Sequence, residues 1–263
     1  MAKNYLKKIG YLTIYYVKSI GRTTIFLVSG IVQIFSSPFQ FAKIVEHVRF
    51  IGAKSMLVIT LTGLFTGMVL GLQGYYTLSK FGSESMLGSV VALSLIRELG
   101  PVLAAFMITA RAGSAIAAEI GVMRISEQID ALETMDINPI KFLFSPRIVA
   151  CFISFPLLTA IFDAVGIFGG YLSGALMTNA NKGIYAQKVI QSVVMEDVTE
   201  GFIKALVFGI IVTTICCFNG FYTHMNPSGE HGAKGVSLST TNAVVTSCVL
   251  ILVFDYIITY FLM

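Results

Sequence analysis

The sequence predicts an all-α integral membrane protein, one domain over residues 1–263, with an amino-terminal interfacial elbow helix followed by five transmembrane helices. Three observations lead there. Hydrophobic residues make up 56% of the chain and charged residues 12%, with a mean hydropathy of +0.82, against roughly 45–50% and about 25% in soluble domains. Five apolar runs each reach the ~20 residues that a helix needs to cross a bilayer. The polar connections between them carry Lys and Arg unequally, which fixes an orientation.

Residues 1–50 form the amino-terminal region. Lys3, Lys7, Lys8, Lys18 and Arg22 are spread along an amphipathic stretch, without the compact basic start, short apolar core and small-residue cleavage site of a leader, so no cleaved signal is expected. The apolar run 23–42 is long enough to span, yet it holds Ser29, Gly30, Gln33, Ser36, Ser37 and Pro38 and is flanked by basic residues. With this run in the interface, thirteen Lys and Arg fall on one side of the membrane and four on the other, counting the border residue Lys204 there; with it as a span the split is nine and eight. Cytoplasmic loops hold the basic excess. The run is therefore interfacial, the amino terminus cytoplasmic and the carboxyl terminus periplasmic.

The five spans are expected at about 55–77, 86–110, 148–177, 203–222 and 237–262. Gly63, Gly67 and Gly71 recur every fourth residue in the first, and Gly166, Gly170 and Gly174 in the third. Small residues on one helical face let backbones approach in lipid, so each stripe is a contact within the chain or a dimer seam, the former favoured. The second span carries Arg97 and Glu98 directly before Gly100 and Pro101. Charge at that depth costs about 2.5–3.5 kcal/mol per residue by insertion scales and demands a partner, a wet cavity or a polar ligand. Pro101 cannot donate to the carbonyl of Arg97, and Gly100 loosens the same turn, so a kink and a freed carbonyl are expected there. Adjacent helical residues diverge by about 100°, so Arg97 and Glu98 face different surroundings. A guanidinium suits a phosphate through its planar fork; an ion pair that only locks helices is the competing reading.

In the 111–147 connection, Val122, Ile125, Ile129 and Leu132 fall on one face of a short helix that Asn138-Pro139 ends. Its other side is partly acidic, whereas membrane-surface helices show Lys and Arg to lipid, which favours a protein partner. The 178–202 segment, with Glu196, Asp197 and Glu200, reads as a solvated loop or short helix. Asp163 and Asp255 stand alone in the third and fifth spans, either as relay groups of an ion-coupled secondary carrier or as hydrogen-bonded or protonated carboxyls. Cys151, Cys216, Cys217 and Cys248 lie in apolar runs and read as packing thiols. His47, His224 and His231 lack ligand spacing, so no metal site is expected. The +4 net charge is spread beside the spans rather than gathered as a nucleic-acid patch. No phosphate-binding GxxxxGK[ST], GxSxG or HExxH occurs, so nucleotide hydrolysis and hydrolase chemistry are not expected of this chain.

The stretches Gly67–Gly74, Leu93–Val102, Ala110–Ala115, Glu119–Arg124, Ser126–Gln128 and Pro146-Arg147 resemble the MlaE/YrbE permease family, the membrane subunits of ABC-type lipid transporters that work with MCE proteins. The likeness covers about residues 50–260. It implies a homodimeric, non-enzymatic permease of the inner membrane of a Gram-negative bacterium, moving phospholipid between the inner and outer membranes. It also implies a cytoplasmic ABC ATPase dimer that uses ATP and Mg2+, a periplasmic MCE-domain hexamer and a small STAS-domain accessory protein. The resemblance places Leu70, Gln73, Leu78, Phe81, Arg97 and Glu98 at a lipid cavity between the two subunits; relatives often carry Tyr where this chain has Phe81. It makes 113–137 a coupling-helix region, with Glu119, Met123, Arg124, Glu127, Gln128 and Leu132 facing the ATPase.

Overall fold

The computed structural model describes residues 2–34, 40–176, 182–225 and 232–262, so Ser36, Ser37, Pro38 and His231, the last residue of the expected third span and the start of the 178–202 segment lie outside the described residues. Among the described residues, five helical stretches are long and apolar enough to cross a membrane: Phe41–Ser79, Glu84–Ile125, Pro139–Gly174, Met195–Phe221 and Gly232–Leu262. Their number and order agree with the sequence reading; each starts before the expected bound, and the first two also end beyond it. The 33-residue helix α1 (Ala2–Ile34) is not among them.

The first stretch joins α2 (Phe41–Ile51) to α3 (Met56–Ser79) through a tight turn at Ala53–Ser55. The second is a run of α4 (Leu87–Ser94), α5 (Gly100–Ile108) and α6 (Ser114–Ile125), separated by two wider turns, Leu95–Leu99 and Thr109–Gly113, in which backbone bonds reach five residues back. Such π-turns swell the helix by one residue and cluster at functional positions. A short α7 (Gln128–Thr134) and α8 (Pro139–Leu143) follow, then α9 (Ser145–Gly170), α10 (Lys182–Ser192), α11 (Met195–Phe221) and α12 (Gly232–Leu262). The second helical stretch therefore continues fifteen residues past the expected end at 110, and much of 178–202 is helical.

The two glycine stripes meet each other within the chain. A methyl on Gly63 would lie 2.9 Å from the carbonyl oxygen of Phe162, one on Gly71 2.6 Å from that of Gly170, and one on Gly67 would overlap the carbonyl of Gly166. The seam thus brings α3 and α9 backbone to backbone, where dispersion and weak Cα–H contacts substitute for a hydrophobic drive that lipid cannot supply. Ser173 Oγ, one turn beyond α9, donates to the Met68 carbonyl at 2.6 Å and closes the top of the seam.

At the other end, α1 is held by Phe26, which is buried against Phe144 (ring centroids 4.8 Å apart), Phe218, Phe221 and Tyr222. Gly30 lies flush on Phe144, and Ser145 Oγ donates to its carbonyl at 3.0 Å.

Gly67→Leu should prevent folded protein from accumulating, because its neighbour is backbone and cannot yield. Gly21→Ala in α1, with nothing within 4 Å of the new methyl, should be neutral or stabilise by about 0.5–1 kcal/mol. Thermal unfolding in detergent reads both, and equal midpoints for the two variants would contradict the seam.

Candidate functional site

The charged π-turn is the centre of the site. The Gly100 N–H donates to the Leu95 carbonyl, five residues back, and Pro101 follows without a donor. The freed carbonyl of Arg97 accepts from Lys204 Nζ at 2.8 Å, so the backbone group that proline leaves orphaned is satisfied by a side chain from α11. Gly201, one turn earlier on α11, approaches closely enough that a methyl there would sit 2.6 Å from the Ile96 carbonyl. Pro101 and Gly201 are complementary: one opens the helix and the other lets a neighbour reach in.

Both charges of the turn are paired across the bundle. Arg97 bonds Asp197 through Nε at 2.6 Å and Nη2 at 2.5 Å. Asp197 is almost fully buried, and its second oxygen accepts the backbone N–H of Val194 at 3.0 Å, capping α11. Glu98 meets Lys204 Nζ at 2.7 Å and accepts from Thr259 Oγ1 at 3.2 Å, while Asp255 lies 3.2 Å from the same ammonium. One buried cation on α11 thus serves a carbonyl and a carboxylate of the charged turn and a second carboxylate on α12, joining three helical segments. Arg97 and Glu98 each keep 39% of their side-chain surface exposed, against 2% for Lys204. The site has a sealed floor and an open rim.

Several expectations change here. Arg97 and Glu98 face different partners, Arg97 on α11 and Glu98 on α11 and α12, and each retains a free edge. Asp255 is not isolated but shares Lys204. Asp197 is a buried partner of Arg97 rather than part of a solvated segment, and Lys204 is the hub rather than a border residue. Asp163 does stand apart: its Oδ1 has no partner among the described residues, and it presses on Gly100, where any Cβ would overlap that oxygen. Gly100 is therefore required for space as well as for the turn. Among the other residues placed at the cavity, Leu70 and Leu78 are half-buried against the core, and Gln73 and Phe81 are exposed. Phe81 projects from the turn after α3, 78% exposed.

The second π-turn contains Arg111, whose Nη1 donates to the Phe50 carbonyl at 2.5 Å and to Ser55 Oγ at 3.0 Å, with the guanidinium over the Phe50 ring. It pins the second span to the α2–α3 corner.

The expected short helix through Val122, Ile125, Ile129 and Leu132 is broken. Glu127 adopts φ 58°, a left-handed conformation, which ends α6 and redirects α7. The apolar face read from periodicity therefore splits: Ile129 is fully buried, whereas Val122 and Ile125 are exposed. α7 ends in a Schellman motif, with Ile137 N–H bonded to the Leu132 carbonyl at 2.9 Å and Asp136 N–H to the Glu133 carbonyl at 3.1 Å, Asp136 taking φ 60° where glycine is usual. Asn138 Oδ1 then caps α8 by accepting from Ile140 N–H at 3.0 Å, with Pro139 at the first position, so Asn138-Pro139 does end the segment. Of the six coupling candidates, Glu119 is paired to buried Arg147 at 2.9 Å and Met123 packs on the core. Arg124 binds Asp130 at 2.7 Å and His224 Nδ1 at 3.0 Å. Partial burial and the Arg124 charge hold His224 below its ordinary range, which keeps Nδ1 free to accept. Leu132 is half-buried; Glu127 and Gln128 remain exposed at the tip.

The protein-family model described as permease MlaE matches residues 44–261. A probable ABC transporter permease of Rickettsia bellii is 44% identical over 259 residues, covering 98% of each chain. The intermembrane phospholipid transport system permease protein MlaE of Haemophilus influenzae is 43% identical over 220 residues, covering 83% of this chain and 82% of the relative. The chloroplastic protein TRIGALACTOSYLDIACYLGLYCEROL 1 of Arabidopsis thaliana is 34% identical over 235 residues, covering 88% of this chain and 64% of the relative.

Removing one member of a buried ion pair costs about 3–5 kcal/mol because it strands the other. Lys204→Met should lower thermal stability on that scale, and adding Glu98→Gln and Asp255→Asn should recover a large part of it. Strict additivity of the three substitutions would show that no shared hub exists.

Proposed function

Since the chain belongs to the MlaE permease family, we propose that two copies of it form the membrane core of an ATP-driven transporter that moves phospholipid between the inner and outer membranes of a bacterium. The observation that carries this reading is the rim of the charged π-turn, where Arg97 and Glu98 are each held on one side by a buried partner and open on the other. A guanidinium fixed by Asp197 still has donors for a phosphate, and its geometry is set before the ligand arrives, which lowers the ordering cost of binding. Leu70, Gln73 and Leu78 on α3, with Phe81 in the turn after it, supply apolar and amide surface for the rest of the amphiphile. The relative from Haemophilus influenzae bears the name of a phospholipid transport system, and the sequence match to it spans most of the chain.

The chain itself moves lipid without breaking bonds. Force enters from a cytoplasmic ABC ATPase dimer, which binds ATP and Mg2+ and docks on the exposed tip formed by Glu127 and Gln128, with Val122, Ile125 and Met135 beside it. Glu119, Met123 and Arg124 act behind that tip as braces, tying it through Arg147 and His224 to the bundle. A push on α7 is thus passed to α6, and α6 is continuous with the helix bearing Arg97. The chain sits in the inner membrane, with α1 as an interfacial elbow, the amino terminus cytoplasmic and the carboxyl terminus periplasmic. A periplasmic MCE-domain hexamer receives or delivers the lipid, and a STAS-domain protein accompanies the ATPase.

Arg97→Ala and Glu98→Ala should each cut ATP-dependent transfer between donor and acceptor vesicles at least tenfold, the complex still assembling; unchanged transfer in both would remove them from the lipid path. Glu127→Lys should abolish co-purification of the ATPase while Glu127→Gly, which relieves the left-handed backbone, leaves the fold intact. ATPase retained at full stoichiometry by Glu127→Lys would place the docking surface elsewhere.

A further inference from the structure

At the end of the bundle that carries the 111–147 connection, a cavity of about 140 Å3 opens between α1 and the close of α11, and the transport reading makes no use of it. Phe26 fixes α1 by its burial among Phe144, Phe218, Phe221 and Tyr222. Four and eight residues earlier, on the same helical face, stand Arg22 and Lys18, and both line the cavity opposite Phe218, Asn219, Tyr222 and Ser239. Docking of one aromatic residue therefore sets the position of two cations.

Those cations are not neutralised by the fold. Arg22 Nη1 donates to Met225 Sδ at 3.4 Å, and a thioether is a weak acceptor that leaves most of the guanidinium's capacity unused. Among the described residues, Lys18 makes no ion pair and the Tyr222 hydroxyl no hydrogen bond. Asn219 and Ser239 are occupied behind the opening, Asn219 Nδ2 donating to the Ile215 carbonyl at 2.9 Å and Ser239 Oγ to the Asn219 carbonyl. The cavity therefore offers an ammonium, a forked guanidinium and a phenol as free donors, above aromatic walls formed by Phe218 and Tyr222 (centroids 4.8 Å apart). This donor set matches a phosphate, and an apolar approach beside it suits one attached to an acyl chain. The basic excess of the connections assigns this end to the cytoplasmic side, where anionic lipid concentrates and basic pockets between helices hold its head groups.

We propose that this cavity binds the phosphate of an anionic phospholipid in the cytoplasmic leaflet, a resident lipid that fastens α1 to α11 and is separate from any cargo at Arg97. The site does not rest on the transport reading, since it needs only the membrane orientation. The full-length chain is purified in mild detergent with added phosphatidylglycerol or phosphatidylcholine, and native mass spectrometry counts the lipid retained. Wild type should retain phosphatidylglycerol in preference to phosphatidylcholine. The double variant Lys18→Gln, Arg22→Gln should lose about thirtyfold in apparent affinity, the effect of two interfacial cations, and Tyr222→Phe a smaller part, with both still folded by circular dichroism. Lys188→Gln, at the far end of the bundle, should change nothing. Equal retention by wild type and the double variant overturns the proposal, as does an equal loss in Lys188→Gln, which would reveal diffuse charge. A parallel melt in inorganic phosphate separates the sources: stabilisation of wild type alone by millimolar phosphate, without lipid preference, overturns the lipid assignment in favour of a soluble anion.

Discussion

The structure depends on one ammonium placed where water is scarce. Lys204 is almost wholly buried, and it satisfies the Arg97 carbonyl, Glu98 and Asp255 together. Three costs are cancelled at once. Proline's orphaned carbonyl finds a donor, two carboxylates find a cation, and the cation finds enough acceptors to offset its own desolvation. Each group alone would be expensive in a membrane interior. Combined, they give the second, fourth and fifth spans a shared register that uniform apolar packing would not specify.

Around that hub the chain uses two kinds of contact. The α3–α9 seam relies on absence of side chains: Gly67 on Gly166 and Gly71 on Gly170 leave no room for even a methyl. The α11 side relies on polar reach instead, with Gly201 making the approach and Lys204 using it. The glycine seam is rigid because backbone cannot repack, whereas ion pairs can exchange partners for water or a ligand. The half-open charges accordingly lie on the polar side, at a π-turn, where the helix already departs from its regular ladder.

Much of this was legible in the sequence because it is local. Hydropathy gave five spans, and Arg97-Glu98-Leu99-Gly100-Pro101 announced a broken ladder and its freed carbonyl. The glycine spacing announced a close seam, and the favoured intrachain pairing is the one observed. What stayed hidden is long-range or has no chemical mark. Asp197 is a hundred residues from Arg97, and a lone acidic residue in a polar stretch looks solvated until the helix it caps is seen. Lys204 at the edge of a span reads equally as loop or hub. The break at Glu127 has neither glycine nor proline to signal it, so the periodicity of Val122, Ile125, Ile129 and Leu132 ran through the break and merged two helices into one. The proposed cavity between two copies rests on family resemblance, since a single chain shows the charged rim but not the surface that would complete it.

The central claim is that Arg97, anchored to Asp197 on one side, offers its other side to a phospholipid phosphate. Solid-state NMR on the assembled transporter in lipid, with 15N-labelled arginine observed against the natural 31P of the bilayer, measures that proximity directly. The expected result is phosphorus-dependent dephasing of a guanidinium signal that disappears in Arg97→Gln. A spectrum in which the Arg97 signal shows no such dephasing, with the Asp197 pair intact, would mean that the charged turn is a structural lock alone.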